Sequence, residues 1–246
     1  MKFVSLLLVL VSLSCLPCAA ADVAGAKPLR IHMIGTGEYE AAESLAKYKV
    51  DLETAYQIEV TASLGKGSTL TGIEQLKSAD LLILFARRMN LPAESMEIIR
   101  AHCESGKPII ALRTASHAFQ PDDNEWIAKV LGAKYAGPGS YTTPFTAAPA
   151  EGSADHPVLR GVGPTESKGP YHFGPLDPKV VVLQIVASDK RVKQPATWVH
   201  EYHGGRTFYS TMGRGEDFQN PDFRRLLDNA VFWTTKTDAE QLRKVK

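Results

Sequence analysis

Gly106-Lys107-Pro108-Ile109-Ile110-Ala111-Leu112-Arg113-Thr114-Ala115-Ser116-His117-Ala118-Phe119 decides how this chain folds. Ile109 to Leu112 is apolar without alternation. That is the pattern of a short strand covered on both faces, as in a parallel sheet between two helix layers. Thr114, Ala115 and Ser116 then suit the first turn of a helix. A buried strand running straight into a helix makes an elbow at the carboxyl end of a sheet, where helix N–H groups converge on anions or nucleophiles. The elbow residue is Arg113, a permanent cation and a poor nucleophile.

Upstream, the same grammar repeats. Leu29 to Ile34 reads as a strand ending in Gly35-Thr36-Gly37, and Tyr39 to Tyr56 as a helix with Leu45, Tyr48, Leu52 and Ala55 on one side. Ile58 to Ala62 and Asp80 to Phe85 read as further strands, and Pro92 to Glu104 as a helix stopped by Gly106. Strand and helix alternate four times, which predicts an α/β fold with a doubly wound, mostly parallel sheet. Ligands in such sheets sit beyond the carboxyl ends of the strands, here Gly35 to Glu38, Arg87-Arg88 and Arg113 to His117. Downstream, Asp122 to Leu131 predicts a helix, Val180 to Ala187 a strand, and Ala196 to Tyr202 with Arg206 to Met212 a hairpin about His203-Gly204-Gly205. Pro221 to Trp233 predicts an amphipathic helix, followed by a charged, frayed tail over 236–246.

The first residues read as a signal peptide over 1–21. Lys2 is the positive region, Phe3 to Leu13 the apolar stretch, and Ala19-Ala20-Ala21 the small residues before a cut at Asp22. The apolar run is too short for a membrane anchor. Ser12 and Pro17 fit poorly before the two candidate lipid-bearing cysteines, Cys15 and Cys18, so an exported protein, periplasmic or secreted, is expected rather than a lipoprotein. Residues 22–28 form a linker and 29–235 one domain. Lys2 is the only charge removed by cleavage, which leaves 27 acidic residues balanced by as many basic ones. That balance excludes a nucleic-acid or anionic-membrane binder. Cys103 alone survives cleavage, so no internal disulfide can form, and its place in a helix suits a small buried residue.

Several chemistries can be weighed on spacing. Gly35-Thr36-Gly37 lacks the third glycine of a dinucleotide fingerprint, and Glu38 and Glu40 would repel a pyrophosphate, so no nicotinamide cofactor is expected. Glu38 is either a site carboxylate or a favourable acid in a first helical turn. Ser116 and His117 are neighbours, and adjacent residues on a helix point about 100° apart, which argues against a Ser–His dyad. His117 either faces the cleft or caps the elbow. The seven histidines include no i,i+4 pair and there is no cysteine cluster, so no metal site is expected; His156 and His172 read as loop residues. Gly213 lets the backbone approach a ligand, and Arg214 either enters the cleft or lies in solvent.

Several segments together resemble the ThuA-like (trehalose utilisation) family within the class I glutamine amidotransferase-like fold. They are Thr197-Trp198, the strand Gly204-Gly205-Arg206 with Phe208-Tyr209, the loop from Gly213 to Asp217-Phe218, and the helix from Phe223 to Trp233. His156-Pro157-Val158, Gly161-Val162 and Tyr171 are further landmarks. The resemblance implies carbohydrate metabolism, with a keto-sugar or glycoside as the small-molecule partner. It also implies departures. Arg113 stands where amidotransferases carry the catalytic Cys, so glutamine hydrolysis is not expected, and Gly213-Arg214 stands where many relatives read Gly-His. The expected site is Glu38, Arg113 and His117 as catalytic groups, with Tyr171, Gly213 and Arg214 binding substrate. The expected partner of Arg113 is Glu38. The alternative is a non-catalytic carbohydrate-binding module in which exposed Tyr39, Tyr141 and Tyr171 stack on sugars.

Overall fold

A computed structural model describes residues 27–65, 67, 69–139, 141–187 and 194–244. The signal segment and most of the linker lie outside the described residues. The first half alternates as expected: β1 (Leu29–Thr36), α1 (Ala41–Ala55), β2 (Ile58–Gly65), β3 (Leu81–Phe85), α2 (Ala93–Glu104) and β4 (Ile109–Leu112), with a 3-10 turn at Ile73–Ser78. After β4 the chain makes a tight 3-10 turn, Arg113–His117, rather than entering an α-helix directly, and α3 follows at Pro121–Leu131.

The second half holds more strand than its sequence announces. β5 (Ala133–Pro138) pairs antiparallel with β8 (Tyr171–Leu176) in a small separate sheet, so His172 is a strand residue and not a loop residue. β6 (Pro144–Pro149), β7 (Thr165–Lys168) and β9 (Val181–Ala187) extend the main sheet, and β10 (Gln194–Tyr202) and β11 (Gly205–Ser210) form the predicted hairpin. Its two-residue turn, His203 at φ 50 and Gly204 at φ 84, has both residues left-handed as a type I′ turn requires. The nine-stranded sheet runs β2-β1-β3-β4-β11-β10-β9-β6-β7. The first five strands are parallel and the rest antiparallel, so the antiparallel extension is larger than one added hairpin.

The unalternated apolar runs have a direct physical reason. Successive side chains on a strand point to opposite faces. In β3, Leu81, Ile83 and Phe85 enter one core while Leu82 and Leu84 enter the other; in β4, Ile110 and Leu112 oppose Ile109 and Ala111. The first core is closed by α1 and by α4 (Pro221–Thr235), through Leu45, Tyr48, Leu52, Phe223 and Leu226. The second is closed by α2 and α3, through Met96, Ile99, Cys103, Trp126 and Ile127. Cys103 is buried there as a free thiol, pushed up to about 12 by burial.

The charged tail is not frayed. A last turn, α5 (Ala239–Leu242), docks Leu242 in the first core. Leu242 O accepts from Gln57 N at 2.6 Å, and Lys244 N donates to Ala55 O at 3.0 Å. No described helix is long and apolar enough to cross a membrane.

Candidate functional site

The loops leaving the carboxyl ends of β3 and β4 are held together by backbone bonds, and Thr36 Oγ1 at the end of β1 donates to Met89 Sδ beside them. Arg88 N donates to His117 O at 3.0 Å and Met89 N to Ala118 O at 2.7 Å. Four residues on these ends, Tyr39, Glu40, Arg88 and Arg113, have φ of 63, 57, 46 and 46. Such values are unfavourable for side chains of this size and concentrate at functional sites.

Arg113 is fully buried at the elbow. Its guanidinium lies between two aromatic rings, 4.2 Å from the Tyr39 centroid and 4.9 Å from that of Tyr171. Nη1 donates to Thr211 O at 3.0 Å and to Lys168 O at 3.4 Å, and Nη2 to Gly169 O at 3.4 Å, while Nε has no partner. Carbonyls and ring faces thus replace the expected carboxylate. Glu38 does not meet Arg113; it is exposed and pairs with Arg87 at 2.6 Å. The turn after β1 carries Glu38 outward, toward the β3 loop. Tyr171 is buried against Arg113 and is not an exposed stacking surface.

His117 is buried with its ring 4.0 Å from that of Tyr135 and nearly parallel to it. Burial, and then the cations Arg87, Arg88 and Arg113, push it down to about 3, so its imidazole is neutral at ordinary pH. Contrary to the helical argument, Ser116 Oγ and His117 Nδ1 stand 3.2 Å apart, because Nδ1 is the ring nitrogen nearer the backbone and reaches the neighbouring hydroxyl. Ser116 Oγ also donates to Arg113 O at 3.2 Å, and Tyr209 OH donates to that carbonyl at 2.6 Å. Among the described residues no carboxylate orients His117, so the pair lacks the third member of a nucleophilic triad there.

The loop after β11 completes the rim. Buried Asp217 accepts from Ser167 Oγ at 2.9 Å, Gly213 N at 2.7 Å and Arg214 N at 2.9 Å through one oxygen. Burial raises its pKa against the pull of those bonds. This lock fixes Gly213, at φ 134, and turns Arg214 back over Tyr39, 5.2 Å from its centroid, with Glu216 3.3 Å from its Nε. The Glu40 carboxylate lies against Gly215, leaving no room there for a Cβ. A cavity of about 430 Å³ opens beside the elbow, lined among others by Arg88, Ser116, His117, Gln120 and Tyr135. Among the described residues no three His, Cys, Asp or Glu side chains gather as a metal site would need.

Of the predicted residues, the fold brings Arg113, His117, Tyr171, Gly213 and Arg214 to one edge and sets Glu38 on its rim. Tyr135, Tyr209 and Asp217 were not singled out from sequence. Tyr135 sits in a Gly/Pro-rich stretch with no strand periodicity, and Tyr209 reads as an ordinary core position. Asp217 had one signal, an acid four residues beyond a glycine after a strand, the spacing of a loop closed on its own backbone.

A five-strand parallel core with helices on both faces and a strained elbow after its fourth strand in sequence defines the class I glutamine amidotransferase-like fold. The chain belongs to the ThuA (trehalose utilisation) family, whose profile matches residues 33–234, and so broadly to carbohydrate utilisation. Among solved structures, it is similar to a ThuA-like protein from Bacteroides uniformis at 17% identity and TM-score 0.68, covering 85% of this chain and 93% of that one. It is also similar to a ThuA-like protein from Parabacteroides merdae at 14% identity and TM-score 0.68, covering 86% and 91%. A β-galactosidase from Rahnella sp. R3 shares the fold at 18% identity and TM-score 0.59, over 85% of this chain but 32% of that enzyme. No curated protein sequence matches the chain.

Proposed function

We propose that the protein is exported and acts on a keto-sugar at the carboxyl edge of its sheet, without a covalent nucleophile. The observation that carries this reading is Arg113: a cation in the nucleophile's place, left-handed, buried, and stacked between Tyr39 and Tyr171. Its neighbours Arg87, Arg88 and Arg214 make the edge a place where a developing enediolate or carboxylate is stabilised. The available proton carriers narrow the reaction. Glu38 is ion-paired with Arg87, and burial holds His117 neutral, so the edge presents no imidazolium as a proton donor. Acid-assisted glycoside cleavage needs a protonated donor, whereas proton abstraction beside a keto group needs a base and an electrostatic clamp. An isomerase-type step fits this edge better than hydrolysis.

The test is incubation with a panel of keto-glycosides and keto-disaccharides in deuterated water, with heat-denatured protein as control. Deuterium entering beside the keto group supports the reading. Binding with neither exchange nor turnover selects the binding module instead, which the exposed ring of Tyr141 favours. Export is tested separately by sequencing the amino terminus of the secreted protein, with Asp22 expected as its first residue.

A further inference from the structure

The cavity beside the elbow has a polarity that the keto-sugar reading does not use. Arg88 lines it, is exposed, and has no acidic partner among the described residues, while the nearby Arg87, Arg113 and Arg214 are each engaged. The acid on its wall, Glu125, is neutralised by Lys134 at 2.5 Å. Arg88 is held at φ 46 by the bonds its own and the next backbone N–H make to His117 and Ala118, so the chain bears strain to place this side chain here. At the inner wall His117 is 5% exposed, and its Nε2 has no partner among the described residues. Ser116 Oγ gives its one hydrogen to Arg113 O, so Nδ1 carries the ring proton and donates to Ser116 Oγ, and Nε2 faces the cavity as an acceptor for a sugar hydroxyl. Gln120 gives its amide nitrogen to Arg88 O and keeps its carbonyl oxygen for a hydroxyl. The half-buried ring of Tyr135 forms another wall, and the volume suits a monosaccharide.

We propose that this cavity binds an acidic sugar, an aldonate or uronate, with its carboxylate on Arg88 and a hydroxyl donating to His117 Nε2. The proposal rests on the carbohydrate reading above and adds the charge of the ligand to it. Burial chiefly keeps His117 neutral and the neighbouring cations add to it; a bound carboxylate would offset the cations, which gives a second readout.

The experiment is calorimetric titration at pH 7 with D-glucuronate, D-galacturonate and D-gluconate, against D-glucose, D-galactose, acetate and inorganic phosphate. The acidic sugars are expected to bind about tenfold or more tightly than their neutral counterparts, the effect of one charge-assisted hydrogen bond. Arg88→Gln removes that preference, Arg88→Lys keeps part of it, and the His117 ring resonance moves on adding D-glucuronate to the unsubstituted protein. Equal binding of D-glucuronate and D-glucose overturns the proposal and leaves the carbohydrate reading standing. Acetate or phosphate binding as tightly as the acidic sugars overturns the sugar class and counts against the carbohydrate reading. No binding by any sugar or anion overturns the proposal outright.

Discussion

The two ends of the parallel sheet make left-handed backbone from different residues. At the amino end, where β4 and β11 begin, the tight turns fall on glycine and on the hairpin's His203. A Cβ on Gly106 would stand 2.6 Å from His203 O, and one on Gly205 would stand 2.7 Å from Gly106 O. At the carboxyl end Gly37 and Gly213 share the same region of backbone space with four larger residues, Tyr39, Glu40, Arg88 and Arg113. Each such residue costs about 1 kcal/mol that glycine would spare. The amino end is built for close packing of backbones. The carboxyl end keeps large polar side chains despite the strain, which is what a ligand edge requires and a merely structural turn does not.

Substitutions can break or sharpen that contrast. The largest effect is expected from Arg113→Ala, which leaves a hole between two tyrosines and strips three carbonyls of their donor. Denaturant titration should show a loss of about 3 kcal/mol with the fold retained. Arg113→Lys should recover part of the stability but not ligand binding, because the guanidinium fork is lost. Wild-type binding in both variants would mean that the elbow serves only the fold. Gly106→Ala comes next, at about 2 kcal/mol of destabilisation from the left-handed backbone and the contact with His203 O. A neutral outcome would remove the contrast at its amino end.

A pH series tests burial on the face covered by α2 and α3, where His32, His102 and His117 all lie. His32 and His102 are pushed down to about 4, and His117 to about 3, chiefly by burial. The unfolded chain therefore binds protons that the folded one refuses, and stability falls as pH drops from about 6.5 toward 4. His32→Gln should lower overall stability, since His32 bonds Thr61 and Ser63, yet flatten the slope by about 1.4 kcal/mol per pH unit within that window. An unchanged slope would show that His32 is protonated in the folded protein. The smallest effect is the most telling. Arg88→Gly should gain about 0.5 kcal/mol, strain relief exceeding the added chain entropy. A loss instead would mean that the Arg88 side chain supports the fold and that its strain needs no ligand to explain it.

Much of the architecture was legible because it rests on local periodicity. The apolar runs of β3 and β4 could only be strands buried on both faces, and they are. The short strands β5, β7 and β8 were not legible: they are rich in Gly, Pro and polar residues, and β5 and β8 pair with register shifts. Positions set by strand ends were legible, and Arg113 and His117 do follow the carboxyl end of β4 as its apolar run predicts. Pairings were not. Whether Glu38 meets Arg87 or Arg113 is decided by one turn's exit direction, and that turn is bent by two consecutive left-handed residues, Tyr39 and Glu40, which no propensity announces.

The position of β11 in the sheet has a consequence for how the chain can assemble. β2, β1, β3 and β4 lie within the first 112 residues and can pair as they emerge, but the neighbour of β4 is a strand that begins only at Gly205. Until then β4 is an open edge of bare N–H and C=O groups, the kind of edge that recruits other chains. Closing so long a loop costs entropy before any ladder bond repays it, which slows folding. A chain cut before Gly205 leaves that edge of β4 open, so the last sixth of the sequence is what covers the sheet laid down by the first half.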